Sequence, residues 1–332
     1  PTFGDATDTQ VPDIADDQLC AIAFTSGSTG APKSNRKFWR TLRDGTESNI
    51  RLLMADVQGH WNVVVTVPPQ HMWGMEMSIL LPMFADVAIS DKTPFYPQDI
   101  VDAITEVPGP VMLVSSPIHL ETLLRSGAKP VGLERIFTAT APLTRELATN
   151  LERTFATRVQ DVFGCSESGI LATRNSSGEE LWNYSDFFEF EVSREGVTIR
   201  AGHLSEDVLM PDIIELVGDH QYRWLGRQAD MINIAGKRGS LNDINHRLRE
   251  VPGVIDGVVF VREEQPDRLA ALVVAPGLEP SDILKYLKDR VEPVFLPRPM
   301  YKVDVLPRQE TGKIAVKVVQ DMFNRIRESK SN

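Results

Sequence analysis

The chain has 332 residues, a formal net charge of −11, and a composition of 42% hydrophobic and 24% charged residues. This length exceeds the size at which one hydrophobic core usually stops growing, so we expect two domains. The acidic balance argues against a general affinity for nucleic acid, because that affinity depends on Lys and Arg neutralising phosphates. Cys20 and Cys165 lie far apart and lack metal-ligand spacing, so neither a disulfide framework nor a zinc site is predicted.

The first half of the sequence alternates short apolar runs with longer segments of helical periodicity. Strands are predicted at Leu19–Phe24, Asn62–Val67, Val111–Ser115, Arg135–Ala139 and Arg158–Phe163. Helices are predicted near Lys37–Asp56, Gly74–Phe84, Pro97–Glu106, Pro117–Arg125 and Thr144–Thr154. Nearly all-apolar strands that alternate with helices are typical of a buried parallel sheet, so this half is predicted to be α/β.

From Phe187 onward the pattern changes to short alternating strands with tight turns. The runs Phe187–Ser193 and Val197–Ala201 predict an antiparallel hairpin. After Arg227 the sequence predicts a small α+β domain, with strands at Met231–Ile234, Val254–Arg262 and Arg268–Val274 and helices at Asn242–Glu250 and Ser281–Val291. The final residues, Arg327–Asn332, predict a frayed polar tail.

These patterns together predict two domains of different size. The large domain, residues 1–227, should contain a mostly parallel sheet plus antiparallel hairpins. The smaller domain, residues 228–332, should be α+β.

A loop of small and hydroxyl residues, Thr25–Lys33, follows the first predicted strand. Backbone N–H groups in such a loop can approach an anion closely, and hydroxyls and a lysine add donors, so the loop predicts a phosphate site. A flexible connection that is rich in small residues is the alternative interpretation. A P-loop is disfavoured, because Pro32 replaces the second glycine of GxxxxGK[ST] and removes an N–H donor.

A second segment, Gly164–Ser168, is close to the GxSxG nucleophile elbow of α/β-hydrolases. Ser168 replaces the last glycine of that pattern. The downstream histidines, His203, His220 and His246, lie in polar stretches, where a surface position is the simpler interpretation. A hydrolase is therefore disfavoured.

Six segments decide between these interpretations: TSGSTGAPK (25–33), PQHMWG (69–74), TAPL (140–143), FGCSESG (163–169), LGRQADMINIAGKRG (225–239) and LPRQETGK (306–313). In order and spacing they resemble the signatures of the adenylate-forming superfamily, which includes acyl-CoA synthetases, aryl-CoA ligases and peptide-synthetase adenylation domains. The resemblance runs from about Leu19 to Lys317. It implies that a carboxylate attacks the α-phosphorus of ATP, giving an acyl-adenylate and pyrophosphate, and that a thiol then displaces AMP.

The resemblance also implies which residues bind the nucleotide. The β- and γ-phosphates would be held by Thr25, Ser26, Gly27, Ser28, Thr29, Gly30 and Lys33. The adenine would lie along Thr140, Ala141 and Pro142. Asp212 would bind the ribose and Arg227 would also contact the nucleotide, although Met210-Pro211-Asp212 departs from the usual TGD. A surface ion pair is the alternative interpretation of Asp212 and Arg227.

Further residues are implied for the chemical steps. Glu167 would help to hold Mg²⁺, which prefers hard oxygen ligands. Lys313 would swing in from the small domain to stabilise the pentavalent phosphorus. Gly236 would leave room for a pantetheine arm during thioester formation. Ala229 stands at the hinge where relatives usually place Asp or Lys, but a hinge does not need a charge.

The PQHMWG segment addresses the acid. His71 would gate the acyl pocket, although a core histidine is an equal alternative. Met72, Trp73 and Met75 would line an apolar slot or pack a core. The segment lacks the aspartate with which amino-acid-activating relatives pair the α-amine, so an uncharged aryl or acyl acid is favoured.

The predicted cofactors and partners are ATP, Mg²⁺, a small carboxylic acid, and the thiol of CoA or of an acyl carrier protein's phosphopantetheine. Short ligases of aryl-polyene and pigment pathways are the favoured specific match, because relatives carry an N-terminal subdomain ahead of the phosphate loop, which begins here at Thr25. A fragment of a longer enzyme and a naturally short enzyme both fit this pattern. A degenerate acyl-nucleotide binder with a regulatory role is the alternative function.

The apolar stretches are shorter than the roughly 20 residues that span a bilayer, so no membrane anchor is predicted. The first residues lack the basic and apolar regions of a secretion signal. We therefore expect a cytoplasmic protein.

Overall fold

The computed structural model describes residues 13–26, 32–193, 196–227, 230–308, 314 and 316–331. The chain divides into two compact units. The first comprises Pro1–Glu191, Thr198–Leu209 and Leu216–Arg223, and the second comprises Val192–Val197, Met210–Glu215 and Trp224–Asn332.

The elements in the first part of the chain are β1 (Leu19–Ser26), β2 (Pro32–Phe38), α1 (Trp39–Leu53), β3 (Trp61–Val65), α2 (Met72–Met75), α3 (Leu81–Phe84), β4 (Val87–Ile89), α4 (Pro97–Thr105), β5 (Val111–Ser115), α5 (Pro117–Ser126), β6 (Leu133–Thr138), α6 (Arg145–Phe155), β7 (Arg158–Cys165), β8 (Gly169–Arg174) and β9 (Trp182–Tyr184). A π-helical turn, Glu76–Leu80, joins α2 to α3.

The later elements are β10 (Glu189–Val192), β11 (Val197–Arg200), β12 (Val208–Met210), β13 (Asp212–Leu216), β14 (Gln221–Arg227), β15 (Met231–Ile234), β16 (Lys237–Ser240), α7 (Leu241–Arg249), β17 (Asp256–Arg262), β18 (Gln265–Val274), α8 (Pro280–Lys288), β19 (Met300–Lys302) and α9 (Val316–Ser331). A short 3₁₀ turn lies at Pro293–Phe295.

The main sheet has nine strands in the order β13-β14-β9-β8-β7-β6-β5-β3-β4. The pairs between β4 and β7 are all parallel, whereas β8 and β9 are added antiparallel. The α/β class predicted from the sequence is confirmed. Within this sheet, however, the antiparallel strands begin with β8 at Gly169 and not at Phe187 as predicted.

Successive residues of β3 point to opposite faces of this sheet, as strand geometry requires. Val64 packs with residues of α4, α5 and α6 on one face. Val63 and Val65 pack on the other face with Leu53 of α1 and Met77 of the π-helical turn. Both faces are therefore covered, which explains why the parallel strands are almost entirely apolar.

The prediction that Leu19–Phe24 is a buried strand of the parallel sheet is wrong. β1 pairs antiparallel with β2 in a separate two-stranded sheet. Its side chains Ile22 and Phe24 are 48% and 69% exposed. An apolar run does not by itself distinguish a buried strand from an exposed hairpin. The following helix begins at Trp39, because the residues before it form β2.

The second unit contains the three-stranded sheet β17-β18-β19 and has the predicted α+β composition. Ile244 of α7 and Ile283 of α8 are buried in the cluster on one face of this sheet, and Phe323 of α9 lies in the other cluster. The predicted frayed tail is wrong, since α9 continues to Ser331 and the Arg327 guanidinium binds Glu264. Among the described helices, none is long and apolar enough to cross a bilayer.

Candidate active site

The phosphate loop predicted at Thr25–Lys33 is the connection of the β1–β2 hairpin. Thr25 pairs with Lys33, and Ser26 pairs with Pro32. Gly27, Ser28, Thr29 and Gly30 lie outside the described residues, so their phosphate role stays a prediction. The chain leaves the loop as strand β2. A P-loop leads into a helix, and we therefore reject the P-loop alternative.

Three predicted site segments follow the carboxyl ends of parallel strands. His71 comes after β3, Thr140–Pro142 after β6, and Glu167 after β7. Because β3, β5, β6 and β7 are mutually parallel, these ends meet at one edge of the sheet. Ligands of open α/β sheets bind at this edge. The first unit therefore brings the three segments to the same edge.

Thr140 has an unusual backbone conformation at this edge. Its φ of 77° lies in the left-handed region, which a β-branched residue rarely adopts. The residue is exposed, as is Pro142, and Ala141 is half-buried. Strained backbone of this kind costs about 1–3 kcal/mol and concentrates at ligand sites. This observation favours a binding role for Thr140–Pro142.

Glu167 lies in the turn between β7 and β8, and its side chain is half-buried. A Cβ on Gly164 would lie 2.3 Å from the carbonyl oxygen of Gly169. Gly169 has a φ of 77°, and a Cβ there would lie 2.6 Å from Oε1 of Glu76. Gly164 is therefore required by a close backbone contact, and Gly169 by its positive φ together with the buried Glu76 carboxyl group beside it. Because this hairpin is strand–turn–strand, the strand–turn–helix elbow of an α/β-hydrolase is also rejected.

Two buried charged residues that the sequence did not indicate contact this turn. Lys37 of β2 is 1% exposed, and its Nζ donates to the backbone oxygen of Glu167 at 2.6 Å. Glu76, in the π-helical turn, is 5% exposed. Its Oε1 accepts from Asn49 Nδ2 at 3.1 Å and from the backbone N–H of Ile170 at 3.2 Å.

Burial dominates the electrostatics of both residues. Desolvation raises the pKa of Glu76 to about 7, although its hydrogen bonds and the charge of Lys37 act in the opposite direction. Desolvation likewise lowers the pKa of Lys37, against the attraction of Glu76. Glu76 is the one charged residue in the apolar run from Met72 to Ala85. This isolated charge is the feature of the sequence from which its burial could have been predicted.

The PQHMWG segment is divided between surface and core. His71 is exposed and immediately precedes α2, so the alternative of a core histidine is wrong. Trp73 is buried with Val65 and Met77, and its Nε1 has no hydrogen-bond partner among the described residues. Met72 lies beside the Gly169 position. Trp73 therefore packs a core, as one of the two interpretations predicted.

Asp212 and Arg227 contact each other within the second unit. Asp212 is 3% exposed, and its Oδ1 accepts from Trp224 Nε1 at 2.9 Å and from Arg227 Nε at 3.4 Å. The Arg227 side chain is 56% exposed. The structure thus contains the ion pair of the alternative interpretation, with a buried Asp212 and an exposed Arg227, and the nucleotide roles of both residues stay predictions.

Gly236 lies in the turn between β15 and β16, where Ala235 and Gly236 have φ values of 51° and 79°. No atom of the described residues lies within 4 Å of a Cβ placed on Gly236. Within the described residues, the glycine is thus explained by turn geometry. Lys313 and Ala229 lie outside the described residues, and their roles stay predictions.

Comparison with known proteins identifies the family. Residues 2–186, more than half of the chain, match the family of AMP-binding enzymes. Phosphinothricin tripeptide synthetase PhsC of Streptomyces viridochromogenes is 26% identical over 93% of this chain, which spans 32% of that protein. A 3,4-dihydroxybenzoate–[aryl-carrier protein] ligase of Bacillus anthracis is 20% identical over 90% of this chain and 73% of its own length.

The fold agrees with this match. The structure of ATP-bound MatB from Rhodopseudomonas palustris superposes with a TM-score of 0.80 at 17% identity, covering 95% of this chain and 70% of that one. The chain belongs to the AMP-binding enzyme family. The resemblance to the adenylate-forming superfamily is thereby confirmed.

Proposed function

We propose that this chain activates an aryl or acyl carboxylic acid with ATP, forming an acyl-adenylate and pyrophosphate, and then transfers the acyl group to a thiol. The observation that carries the proposal is the 2.6 Å bond from Lys37 to the backbone oxygen of Glu167. It joins the strand that bears Lys33 to the turn that bears the predicted magnesium ligand. A phosphate loop beside an acidic turn is the arrangement that the family resemblance implies.

The first step brings two anions together, so it requires donors and cations where negative charge accumulates. In the proposal, Thr25–Gly30 and Lys33 hold the β- and γ-phosphates, and Thr140–Pro142 lie along the adenine. Asp212 accepts from the ribose hydroxyls, and the exposed Arg227 contacts the nucleotide. Lys313, carried by the small domain of residues 228–332, stabilises the phosphorus that is attacked.

The residues present fit a magnesium ion that is shared with the phosphates. The part of the chain that the structure describes contains no cluster of three His, Cys, Asp or Glu side chains that could hold a metal ion. Protein Mg²⁺ sites often use one or two carboxylates and take the remaining oxygens from phosphates and water. Glu167 supplies such a carboxylate, and the bound ion would neutralise phosphate charge.

The proposed acid is uncharged apart from its carboxylate, because PQHMWG lacks an acidic partner for an α-amine. His71 is exposed next to α2, where it can gate entry of the acid or the thiol. The proposed acceptor is CoA or the phosphopantetheine of a carrier protein, with Gly236 facing the arm. The carrier-protein option is supported by the Bacillus anthracis ligase, whose name states an aryl-carrier protein. We place the reaction in the cytoplasm.

The test is an exchange of labelled pyrophosphate into ATP, screened over aryl, fatty and amino acids. We expect exchange that requires both Mg²⁺ and an aryl or acyl acid. No exchange and no binding of an acyl-adenylate analogue with any acid would contradict the proposal. Analogue binding without exchange would favour the degenerate binder, although the presence of Lys33, Glu167, Arg227 and Lys313 together argues against it.

Asp212→Asn is expected to raise the KM for ATP roughly tenfold, with a smaller effect on kcat, because a charged acceptor for the ribose is lost. The amide oxygen can still accept from Trp224, so the fold should persist. Asp219→Asn is the matched control, since Asp219 is exposed and lies outside the predicted site. Steady-state kinetics over a range of ATP concentrations measures both values. An unchanged KM for ATP would contradict the ribose role.

A further inference from the structure

Lys37 and Glu76 are buried charged residues without a role in the proposed chemistry. Burial of a charged side chain is unfavourable unless the group is well bonded, so such residues need a structural explanation. Lys37 belongs to β2 of the phosphate hairpin, by which we mean β1, β2 and the predicted phosphate loop that connects them. Glu76 belongs to the π-helical turn after α2. Both contact one short segment, Glu167–Ile170.

The two side chains bind backbone atoms on either side of the same bend. Lys37 Nζ donates to the carbonyl of Glu167, the residue that carries the predicted metal ligand. Glu76 Oε1 accepts from the N–H of Ile170, the second residue of β8. Gly169 between them leaves the space that the Glu76 carboxylate occupies. The position of the Glu167 backbone is thus fixed from two separate elements.

We propose that Lys37 and Glu76 are positioning residues that hold the Glu167 carboxylate at a set distance from the phosphate hairpin; this inference rests on the proposed function. Lys33 and Lys37 lie on one strand, four residues and roughly 13 Å apart at the usual rise per residue. The bond from Lys37 to Glu167 therefore transmits the position of the hairpin to the metal ligand. Groups that orient a metal ligand commonly change metal affinity 10–100-fold when they are removed.

The test measures binding of ATP to the 332-residue chain by calorimetry, with Mg²⁺ and with EDTA in its place. For Lys37→Met, we expect the gain in ATP affinity on adding Mg²⁺ to fall about tenfold. Affinity for metal-free ATP should change less than about twofold, since Lys37 does not itself reach the phosphates in this arrangement. A general loss of structure would weaken binding of ATP both with Mg²⁺ and with EDTA. The ratio of the two affinities therefore measures the positioning of the metal ligand.

A second pair of variants applies if Lys37→Met does not fold. Glu76→Gln keeps an acceptor for Ile170, and the magnesium effect should stay within about twofold of the parent. Glu76→Met removes the acceptor and should reduce the effect as Lys37→Met does. Ser48→Ala, which removes a buried 2.7 Å hydrogen bond to Ser185 but neither of the two contacts to the Glu167–Ile170 segment, is the control for loss of a buried polar contact.

The outcomes separate the two proposals. If the parent chain binds ATP without any magnesium effect, the proposed function is contradicted. If the parent shows the effect and folded Lys37→Met or Glu76→Met retains it, the positioning role alone is wrong. An effect that is lost in Ser48→Ala as well would also overturn the positioning role.

Discussion

Replacing Lys313 with alanine is expected to slow acyl-adenylate formation by roughly 10²–10³-fold, the usual cost of removing one group that stabilises transition-state charge. The attacked phosphorus carries additional negative charge in the transition state, and a lysine brings a compact, mobile positive charge to it. Ground-state ATP binding should change little, because Lys313 is proposed to act only when the small domain approaches. The loss should therefore appear in kcat and not in the KM for ATP.

Pyrophosphate exchange measures this step for parent and variant chains. Lys317→Ala is the matched control, since Lys317 is an exposed lysine of α9 four residues away. Thioester formation from a synthetic acyl-adenylate should survive in Lys313→Ala, because that step does not require the pentavalent phosphorus to be formed from ATP. Equal rates of exchange in Lys313→Ala and Lys317→Ala would contradict the role proposed for Lys313.

Glu76→Gln is expected to remove a pH-dependent loss of stability worth at most roughly 3 kcal/mol. Burial raises the pKa of Glu76 to about 7, from 4.5 for an unperturbed glutamate. Between pH 4.5 and 7 the folded state keeps the proton while the unfolded state releases it. The unfolded state thus binds fewer protons, and the free energy of unfolding falls as the pH rises through this window. Glutamine does not titrate, so the variant lacks this fall.

Urea unfolding at pH 5 and pH 8 measures the effect. The free energy of unfolding of the variant minus that of the parent should be larger at pH 8 than at pH 5, whatever that difference is at pH 5. The attraction of Lys37 for an ionised Glu76 lowers the pKa of Glu76, so the value of about 7 already includes it and the direction of the trend is unchanged. Glu121→Gln, an exposed position on α5, should reproduce the parent's pH dependence. If the free energies of unfolding of Glu76→Gln and of the parent change equally between pH 5 and pH 8, Glu76 is ionised in the folded protein at both pH values and its pKa is not raised.

The strands of the parallel sheet were predictable because burial on both faces makes them continuous apolar runs. Val111–Ser115 was placed with the correct ends for this reason. β1 was misplaced because its apolar residues give the same signal on an exposed hairpin. β2, with the sequence PKSNRKF, was missed because it is polar and short of the usual strand formers. Its pairing with β1 is a tertiary contact that local propensity does not contain.

The site was predictable where a motif fixes the backbone. Glu167 lies in a turn between two glycines, and Thr140 follows a strand, as the motifs imply. Lys37 and Glu76 were missed because their importance depends on burial and on contacts with residues more than 90 positions away. The burial of Asp212 was likewise not predictable, since its hydrogen bond from Trp224 was not apparent from the sequence.

The close backbone contacts at the Glu167 turn have a consequence for engineering. A side chain at Gly164 would meet the carbonyl oxygen of Gly169, and one at Gly169 would meet Glu76. Libraries that randomise either glycine should return the parent residue. Ser166 and Glu167 are only half-buried, and no such backbone contact is known for their side chains. A search for altered preference at the proposed magnesium site should therefore vary these two positions and leave the surrounding glycines unchanged.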